Sequence, residues 1–470
     1  MTSYWVSEAV LPAGMARNVR LTAAGGHWER LEVDVPAQPG DTRLPGLLLP
    51  GFTNAHSHAF HRALRGRTHT ASAPGENFWT WRANMYNIAA QLTPERYYAL
   101  ARATFAEMVL AGYTRVAEFH YVHHRSGGQP YEESNAMGHA LAAAAADAGI
   151  HLTLLNVCYL HGGLSSSGYR DLDPLQRRFS DGSVDAFAAR TRKLRADLAD
   201  QSHCTVGIAA HSVRATMPEE LRALAELRAE LECPAHVHAS EQPAEVADAL
   251  AYCGRTPIGI LADAGFLSAD TTVVHATHLS DDDISLLADS GATVAFCPTT
   301  ERDLADGIGP ARALHQAGVP LSVGSDQHVH IDPFAEVQAL EGHERLRSGE
   351  RGHFSPTELS MVAAARAPIG TPHLSEANIA GSPGSGGSSN TCGSAFCLAV
   401  GAPADAIAVS PRSPRTAGSR GAEIMMTAAA ADITDVIGAG VHHVQDRRHR
   451  LGDVGNLLAE AIEELWPALS

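Results

Sequence analysis

Eight short apolar runs alternating with helical segments predict an α/β fold, a (β/α)8 TIM-like barrel. The runs are GLLLPGFTNAH (46–56), TRVAEFH (114–120), HLTLLNVCY (151–159), TVGIAAH (205–211), PAHVHAS (234–240), TTVVHATH (271–278), ATVAFCP (292–298) and PLSVGSD (320–326). Most are rich in Val, Ile, Leu or Ala on both faces, as strands buried in a parallel sheet must be. Between them lie helical stretches with start and stop signals. TPERYYALARATFAEMVLAG (93–112) opens on Pro and closes on Gly, MPEELRALAELRAEL (217–231) also opens on Pro, and SDDDISLLADSG (280–291) begins with a Ser/Asp cap. An open doubly wound sheet would need a Gly-rich phosphate turn, and no strand end carries one.

The flanks have a different character. Residues 1–45 read as a few small strands punctuated by Gly and Pro. Beyond residue 365, GTPHLSEANIAGSPGSGGSSNTCGSAFCLAVG (370–401) has a loop composition, followed by strand-like ADAIAVS and GVHHVQD and a helical GNLLAEAIEELW. The expected division is 1–48, 49–365 for the barrel, 366–453 containing the atypical stretch 370–401, and a helix over 454–470. A chain of 470 residues accommodates a barrel with an accessory domain.

Composition narrows the function. A net charge of −17 argues against nucleic acid or an anionic membrane as the main partner. An anionic small substrate would need a local cluster of arginines. Seven scattered cysteines without a CxxC pair predict neither a disulfide framework nor a cysteine zinc site, which suits a reducing cytoplasm. The first residues lack a charged segment followed by a long apolar core, so no signal peptide is expected. No uncharged apolar run reaches about 18 residues, so no membrane span is expected. Lys193 is the single lysine among 35 basic residues, which leaves almost no candidate for Schiff-base chemistry or for a lysine bridging two metals.

Barrel enzymes carry their chemistry at the C-terminal ends of the strands. Those ends hold His56 and His58, His120 and Tyr121, His211, His238 with Glu241, His275 and His278, and Asp326. His56 and His58 stand two apart, so an extended strand points both to one side. An isolated HxH is more often a pair of solvated imidazoles than a metal site. HxH, HxxE, His and Asp, each at its own strand end, is much harder to obtain by accident. His238 and Asp326 would add a nitrogen and an oxygen to a coordination with one open position.

At these motifs the chain resembles the amidohydrolase superfamily, and specifically its deaminase branch. Dinuclear members use a carboxylated lysine after the fourth strand, where this chain has AAHSVRA. The branch that uses one divalent metal has HxxE after the fifth strand, here HASE (238–241). Within it, NAHSHAFHRALRG, ENFWTWRANMY, EFHYVHH, AAHSVRA, HVHASEQ, VVHATHL, CPTTERDLADGI and VGSDQHV resemble the N-formimino-L-glutamate deiminases of histidine degradation. The resemblance implies a small β-sandwich domain built from the N- and C-terminal segments, one zinc ion (or Fe2+), and a cytoplasmic homodimer. It implies His56, His58, His238 and Asp326 as metal ligands, with Glu241, His275 and Asp326 catalytic. His61, Arg82, Tyr121, His211 and Arg214 would hold a small acidic substrate, whose two carboxylates suit arginine forks. The implied reaction is hydrolysis of N-formimino-L-glutamate to N-formyl-L-glutamate and ammonia.

Other readings stand beside this one. The same metal site could serve deamination of a purine, pyrimidine or other ring, and a barrel that has lost catalysis could be a binding scaffold. Taken alone, Arg82 reads as a surface arginine packed on tryptophan and Arg214 as a helix cap. His278 reads as structural, and His120, His123 and His124 as supporting or solvated groups. Cys297 has no paired base, so a thiol nucleophile is not expected. Two departures from the family pattern stand out. His61 occupies a position usually held by glutamine, and imidazole cannot reproduce an amide's paired donor and acceptor. Residues 366–400 lack the expected Asn-Gly-His-like helix, and we read them as a local frame shift that recovers near GAPADAIAV, a divergent insertion being the alternative.

Overall fold

The computed structural model describes residues 1–68, 78–365 and 397–466. Eight parallel strands form the barrel: β1 (Phe52–Ser57), β2 (Tyr113–His120), β3 (His151–Cys158), β4 (Cys204–Ser212), β5 (Ala235–Ala239), β6 (Thr271–His275), β7 (Thr293–Phe296) and β8 (Leu321–Val323). Each falls within or across one predicted run. The sheet closes between β1 and β8 through a parallel bridge from Ser57 to Asp326. Asp326 N donates to His56 O at 3.0 Å and His58 N to Asp326 O at 3.2 Å. Gly324 permits this approach, because a Cβ there would lie 2.7 Å from the backbone of His56.

The predicted helices appear at Pro94–Leu110, Pro218–Leu231 and Asp281–Ser290, the last opened by a capping box on Ser280. They pack around the barrel with Ala136–Ala148, Val184–Asp197 and Pro333–Ser348, and residues of helices and strands share one buried core. No helix of the described residues is long and apolar enough to cross a membrane.

The first apolar run divides. Leu47–Leu49 belong to the strand Thr42–Pro50 of the small domain, and the chain enters the barrel only after Gly51. The small domain is a mixed sheet of eight strands that joins Thr2–Leu11, Gly14–Ala24, His27–Glu32 and Thr42–Pro50 to Ala406–Val409, Ile433–Gly438, Val441–Gln445 and Arg448–His449. It curls so that its first and third strands meet the C-terminal segment, with Trp28 N donating to Ala402 O and Tyr4 Oη to Gly440 O. The enclosed core contains Tyr4, Val6, Leu21, Trp28, Leu48, Ala406 and Ile437.

A buried ion pair ties the two units, Arg115 on β2 donating to Asp405 Oδ2 at 3.0 Å, while Ala439 N donates to Asp405 Oδ1. The terminal helix runs over Val454–Glu463, capped by Asp453, and Trp466 Nε1 donates to Ala63 O beside the barrel mouth. Residues 366–396, which include most of the Gly/Ser-rich stretch, lie outside the described residues. Cys158, Cys204, Cys233, Cys253 and Cys297 are free thiols. Cys397 is disulfide-bonded, which the scattered spacing did not foretell.

Glu336, on the helix Pro333–Ser348, is fully buried and accepts hydrogen bonds from Thr299 N at 3.0 Å and Thr299 Oγ1 at 2.6 Å. Burial pushes its pKa up from 4.5 to about 8, so the folded state favours the protonated acid. The stabilisation is complete below the unfolded pKa and is lost as pH rises through the folded one. Thermal melts between roughly pH 5 and 9 should show wild type losing stability more steeply than Glu336→Gln; parallel curves would refute this.

Candidate active site

The end of β1 builds the first half of the site. His56 and His58 are consecutive same-side residues of extended backbone, and a 3-10 turn, Ala59–Leu64, then carries His61. Glu118 at the end of β2 holds this turn, accepting from Ser57 Oγ at 2.5 Å and Ala59 N at 2.7 Å. Ser57 and Ser325 both meet His328, and Asn54 donates to Ser325, so a buried polar network underlies the seam.

The second half arrives from β5, β6 and β8. His238 Nε2 lies 3.0 Å from His56 Nε2, which lies 3.1 Å from His58 Nε2. Asp326 Oδ1 stands 3.5 and 3.4 Å from the same atoms of His56 and His58. Ligands bound tetrahedrally at roughly 2.0–2.1 Å from zinc would sit about 3.3 Å apart, close to this spacing. The tautomers follow from the outer partners: Nδ1 of His58 faces Phe119 O and Nδ1 of His238 faces His211 O, both at 3.0 Å. Each Nδ1 therefore carries the proton, and the bare Nε2 lone pairs converge. Burial drives His56 and His238 well below the usual histidine pKa and His58 down to about 3, so all three remain neutral ligands. Converging lone pairs beside a carboxylate repel unless a cation lies among them. The four residues thus fit a divalent metal.

His275 sits beside this cluster, with Nδ1 3.4 Å from Glu301 Oε1 and Nε2 3.7 Å from Glu241 Oε1. Burial opposes its protonation, but Glu241, Glu301 and Asp326 outweigh that and raise its pKa to about 10. His275 at φ +73°, ending β6, and Asp326 at φ +43°, just past β8, hold left-handed backbone, a strain that marks functional sites. Glu241, three residues past His238, also accepts from Arg214 at 2.8 Å. Glu245 Oε2 accepts from Glu241 N at 3.1 Å and fixes the turn.

Above the cluster opens a cavity of about 360 Å³. Its wall contains His58, His61, Arg82, Tyr121, His211, Arg214, His238, Glu241, His275 and Asp326, ten of the eleven residues the sequence singled out. The eleventh, His56, lies fully buried beneath. His61 Nε2 pairs with Tyr121 Oη at 3.0 Å. Donor atoms of His61, His58 and Asp326 come within 4.8 Å of one another, yet the tie to Tyr121 turns His61 toward the wall. Arg82 donates to Tyr86 Oη at 2.6 Å and Tyr159 Oη at 3.3 Å, and Gln176 donates to both hydroxyls.

His120 is a strand-end residue that does not join the mouth. It is buried with His123 and His124 in a separate network, where His124 and Arg190 bond Asp181. Cys297 lies near Asp326 and His275, and burial, followed by the carboxylates of Asp326, Glu301 and Glu336, raises its thiol pKa. His278 bonds Asp306 O at 2.7 Å, a structural tie.

The sequence reading missed Glu118, Glu245 and Glu301, acidic residues inside helical or strand patterns whose burial has no local signature. It also missed a hairpin, Gly163–Ser165 with Gly168–Arg170, that overhangs the cavity. Its GLSSSGYR sequence reads as loop, although SSSG between short pairable runs is a turn signal.

A closed parallel barrel with a histidine-carboxylate cluster at its C-terminal mouth is the architecture of a metal-dependent hydrolase. Comparison with known proteins agrees. A profile described as the amidohydrolase family matches residues 47–366, and one described as the N-terminal domain of formimidoylglutamate deiminase HutF matches residues 1–44. The formimidoylglutamate deiminase of Pseudomonas aeruginosa is 36% identical over 454 residues, covering 96% of each chain. A crystal structure of an amidohydrolase from Brucella melitensis superposes with a TM-score of 0.88 at 32% identity, covering 99% of this chain and 100% of that one. An adenosine deaminase from Xanthomonas campestris with bound zinc shares the fold, with a TM-score of 0.77 at 20% identity over 98% and 97% of the two chains. The chain belongs to the amidohydrolase family and, within it, groups with the formimidoylglutamate deiminases.

Removing metal should lower the melting temperature, since a ligand that binds only the folded chain stabilises it. Elemental analysis should find about one ion per chain in the holoprotein and far less in His238→Ala. An unchanged melting curve after exhaustive chelation, with elemental analysis confirming metal loss, would contradict the site.

Proposed function

We propose that the protein is a zinc-dependent deiminase that hydrolyses N-formimino-L-glutamate to N-formyl-L-glutamate and ammonia. The observation that carries this reading is one cavity whose wall holds His58, His238 and Asp326, with His56 beneath them, together with two arginines, Arg82 and Arg214. The full-length likeness to a formimidoylglutamate deiminase supports it. Zinc fits a donor set of three imidazoles and one carboxylate, with Fe2+ as the other candidate. A divalent ion held by His56, His58, His238 and Asp326 lowers the pKa of a bound water toward neutrality.

The chain's own residues then do the rest. Asp326 accepts the proton of the attacking water. His275, cationic between Glu241 and Glu301, orients that water and stabilises charge at the carbon as it becomes tetrahedral. Glu241 donates a proton to the formimino nitrogen and carries a second to the departing amine. Arg82 and Arg214 anchor carboxylates, aided by Tyr121 and His211, while His61 stands where the side chain of the substrate is read. Burial and the nearby Arg214 and Arg82 keep His211 neutral, so it serves as a hydrogen-bonding partner rather than a cation. We extend the reading to a cytoplasmic homodimer on the strength of the family resemblance.

Deamination of a ring remains the second reading because the catalytic cluster alone does not distinguish the substrates. An assay of ammonia release from N-formimino-L-glutamate, N-formimino-L-aspartate, guanine and cytosine decides between them. The acyclic acids should turn over and the rings should not; ammonia from a ring alone overturns the proposal. Glu241→Gln should lower kcat by about 10²- to 10⁴-fold with metal content retained. Near-normal turnover by that variant would remove Glu241 from proton transfer.

A further inference from the structure

Gln176 is a fully buried carboxamide that the mechanism above does not use. It precedes the 3-10 turn Arg177–Phe179, on the stretch of chain that follows the hairpin. The backbone fixes its orientation. Asp173 N donates to Gln176 Oε1 at 2.8 Å, so the other end is the amino group, and it donates to Gly162 O at 3.2 Å. A Cβ at position 162 would lie 2.9 Å from Gln176 Oε1, so glycine there leaves the carboxamide its place.

The same amino group donates to Tyr86 Oη and Tyr159 Oη, both at 3.0 Å. Those two oxygens also receive Arg82, from Nε at 2.6 Å and from Nη2 at 3.3 Å. Arg82 and Tyr86 stand one turn apart on the helix Phe78–Gln91, whereas Tyr159 is the residue just past β3. All three line the cavity, and Gln176 lies behind them. It is the piece that joins helix and strand end at the back of the guanidinium.

A phenol oxygen accepts about two hydrogen bonds. Each of these oxygens has a donor from Arg82 and a donor from Gln176, so neither keeps a lone pair for an N–H of a ligand. What the hydroxyls have left to offer is their protons. A guanidinium likewise only donates. The Arg82 side of the cavity therefore takes an acceptor, the anionic end of a ligand, and refuses the formimino end with its N–H groups. Acceptors for those groups stand elsewhere on the wall, at Glu241 and Asp326.

We propose that Gln176 is a positioning residue: it holds Arg82 through the two tyrosines and keeps both hydroxyls as donors, so that the substrate enters with a carboxylate on that side. This rests on the reading given under Proposed function, in which Arg82 anchors a carboxylate. Gln176→Glu keeps the shape and the bond from Asp173 N but puts an acceptor where the donor was. Gln176→Met removes the donor without adding charge. Gln176→Met should raise KM for N-formimino-L-glutamate by about 10-fold and Gln176→Glu by more, with kcat changed less than about threefold in both. In a double-mutant cycle on kcat/KM, Gln176→Met should add little to the loss caused by Arg82→Met, because the residue acts through that side chain. Fully additive losses, or a fall in kcat with KM unchanged, would mark Gln176 as a general support of the fold. Unchanged KM and kcat in both variants would leave it without a role. Each of these results overturns the inference. Wild type that fails to turn over N-formimino-L-glutamate sinks the underlying substrate reading, and this inference with it.

Discussion

The closure of the barrel between β1 and β8 is the constraint on which the site depends. His56 and Asp326 lie 270 positions apart in sequence, and two backbone hydrogen bonds across the seam bring them together. The seam sets His56 and His58 against Asp326, while β5, across the barrel, brings His238 to them. The backbone at Asp326 adopts a left-handed conformation as the strand ends. The cost of that strain is met by the seam bonds and by the buried network of Asn54, Ser57, Glu118, Ser325 and His328 below.

Electrostatics within the mouth divide by depth. At the floor, burial keeps three imidazoles neutral and so able to coordinate. One step outward, carboxylates surround His275 and hold it cationic. Further out, burial opposes the charge of Arg214, but Glu245 and Glu241 outweigh it and keep the guanidinium firmly protonated. A net charge of −17 and a cavity for an anion are therefore compatible: the negative charge is global, the positive charge is local. Arg178, almost wholly buried, adds order here by donating to Ala89 O, Leu92 O and His124 O, which pins the C-terminal end of the helix bearing Arg82.

Much of the barrel was legible in sequence because a buried parallel strand needs apolar residues on both faces and ends abruptly in polar ones. The candidate ligands were legible for the same reason: His56, His58, His238 and Asp326 interrupt apolar runs where strands stop. Three things were not. The run at 46–56 is uniformly apolar although it serves two sheets, since both cores ask for the same residues and only Gly51 marks the passage. His120 ends its strand as His211 does, but the side chain turns to a neighbouring network, and pattern alone does not reveal which way a terminal residue faces. Glu118, Glu245 and Glu301 owe their burial to partners distant in sequence or to turn geometry, so nothing in their local context sets them apart from solvated acids.

That passage at Gly51 bears on how such a chain can change over evolutionary time. Leu47–Leu49 are shared between neighbouring strands of the small domain, and five residues after Gly51 the chain supplies His56, the first residue of the histidine cluster. The small domain is thus no detachable appendage. A recombination event that exchanged it would also redraw the entry to the strand that seats His56, and the ion pair of Arg115 with Asp405 would need a matching counterpart. The unit that is inherited is the whole chain, and variation in what such an enzyme accepts is free to accumulate mainly in the rim, where the hairpin can be lengthened, shortened or recharged while the floor stays as it is.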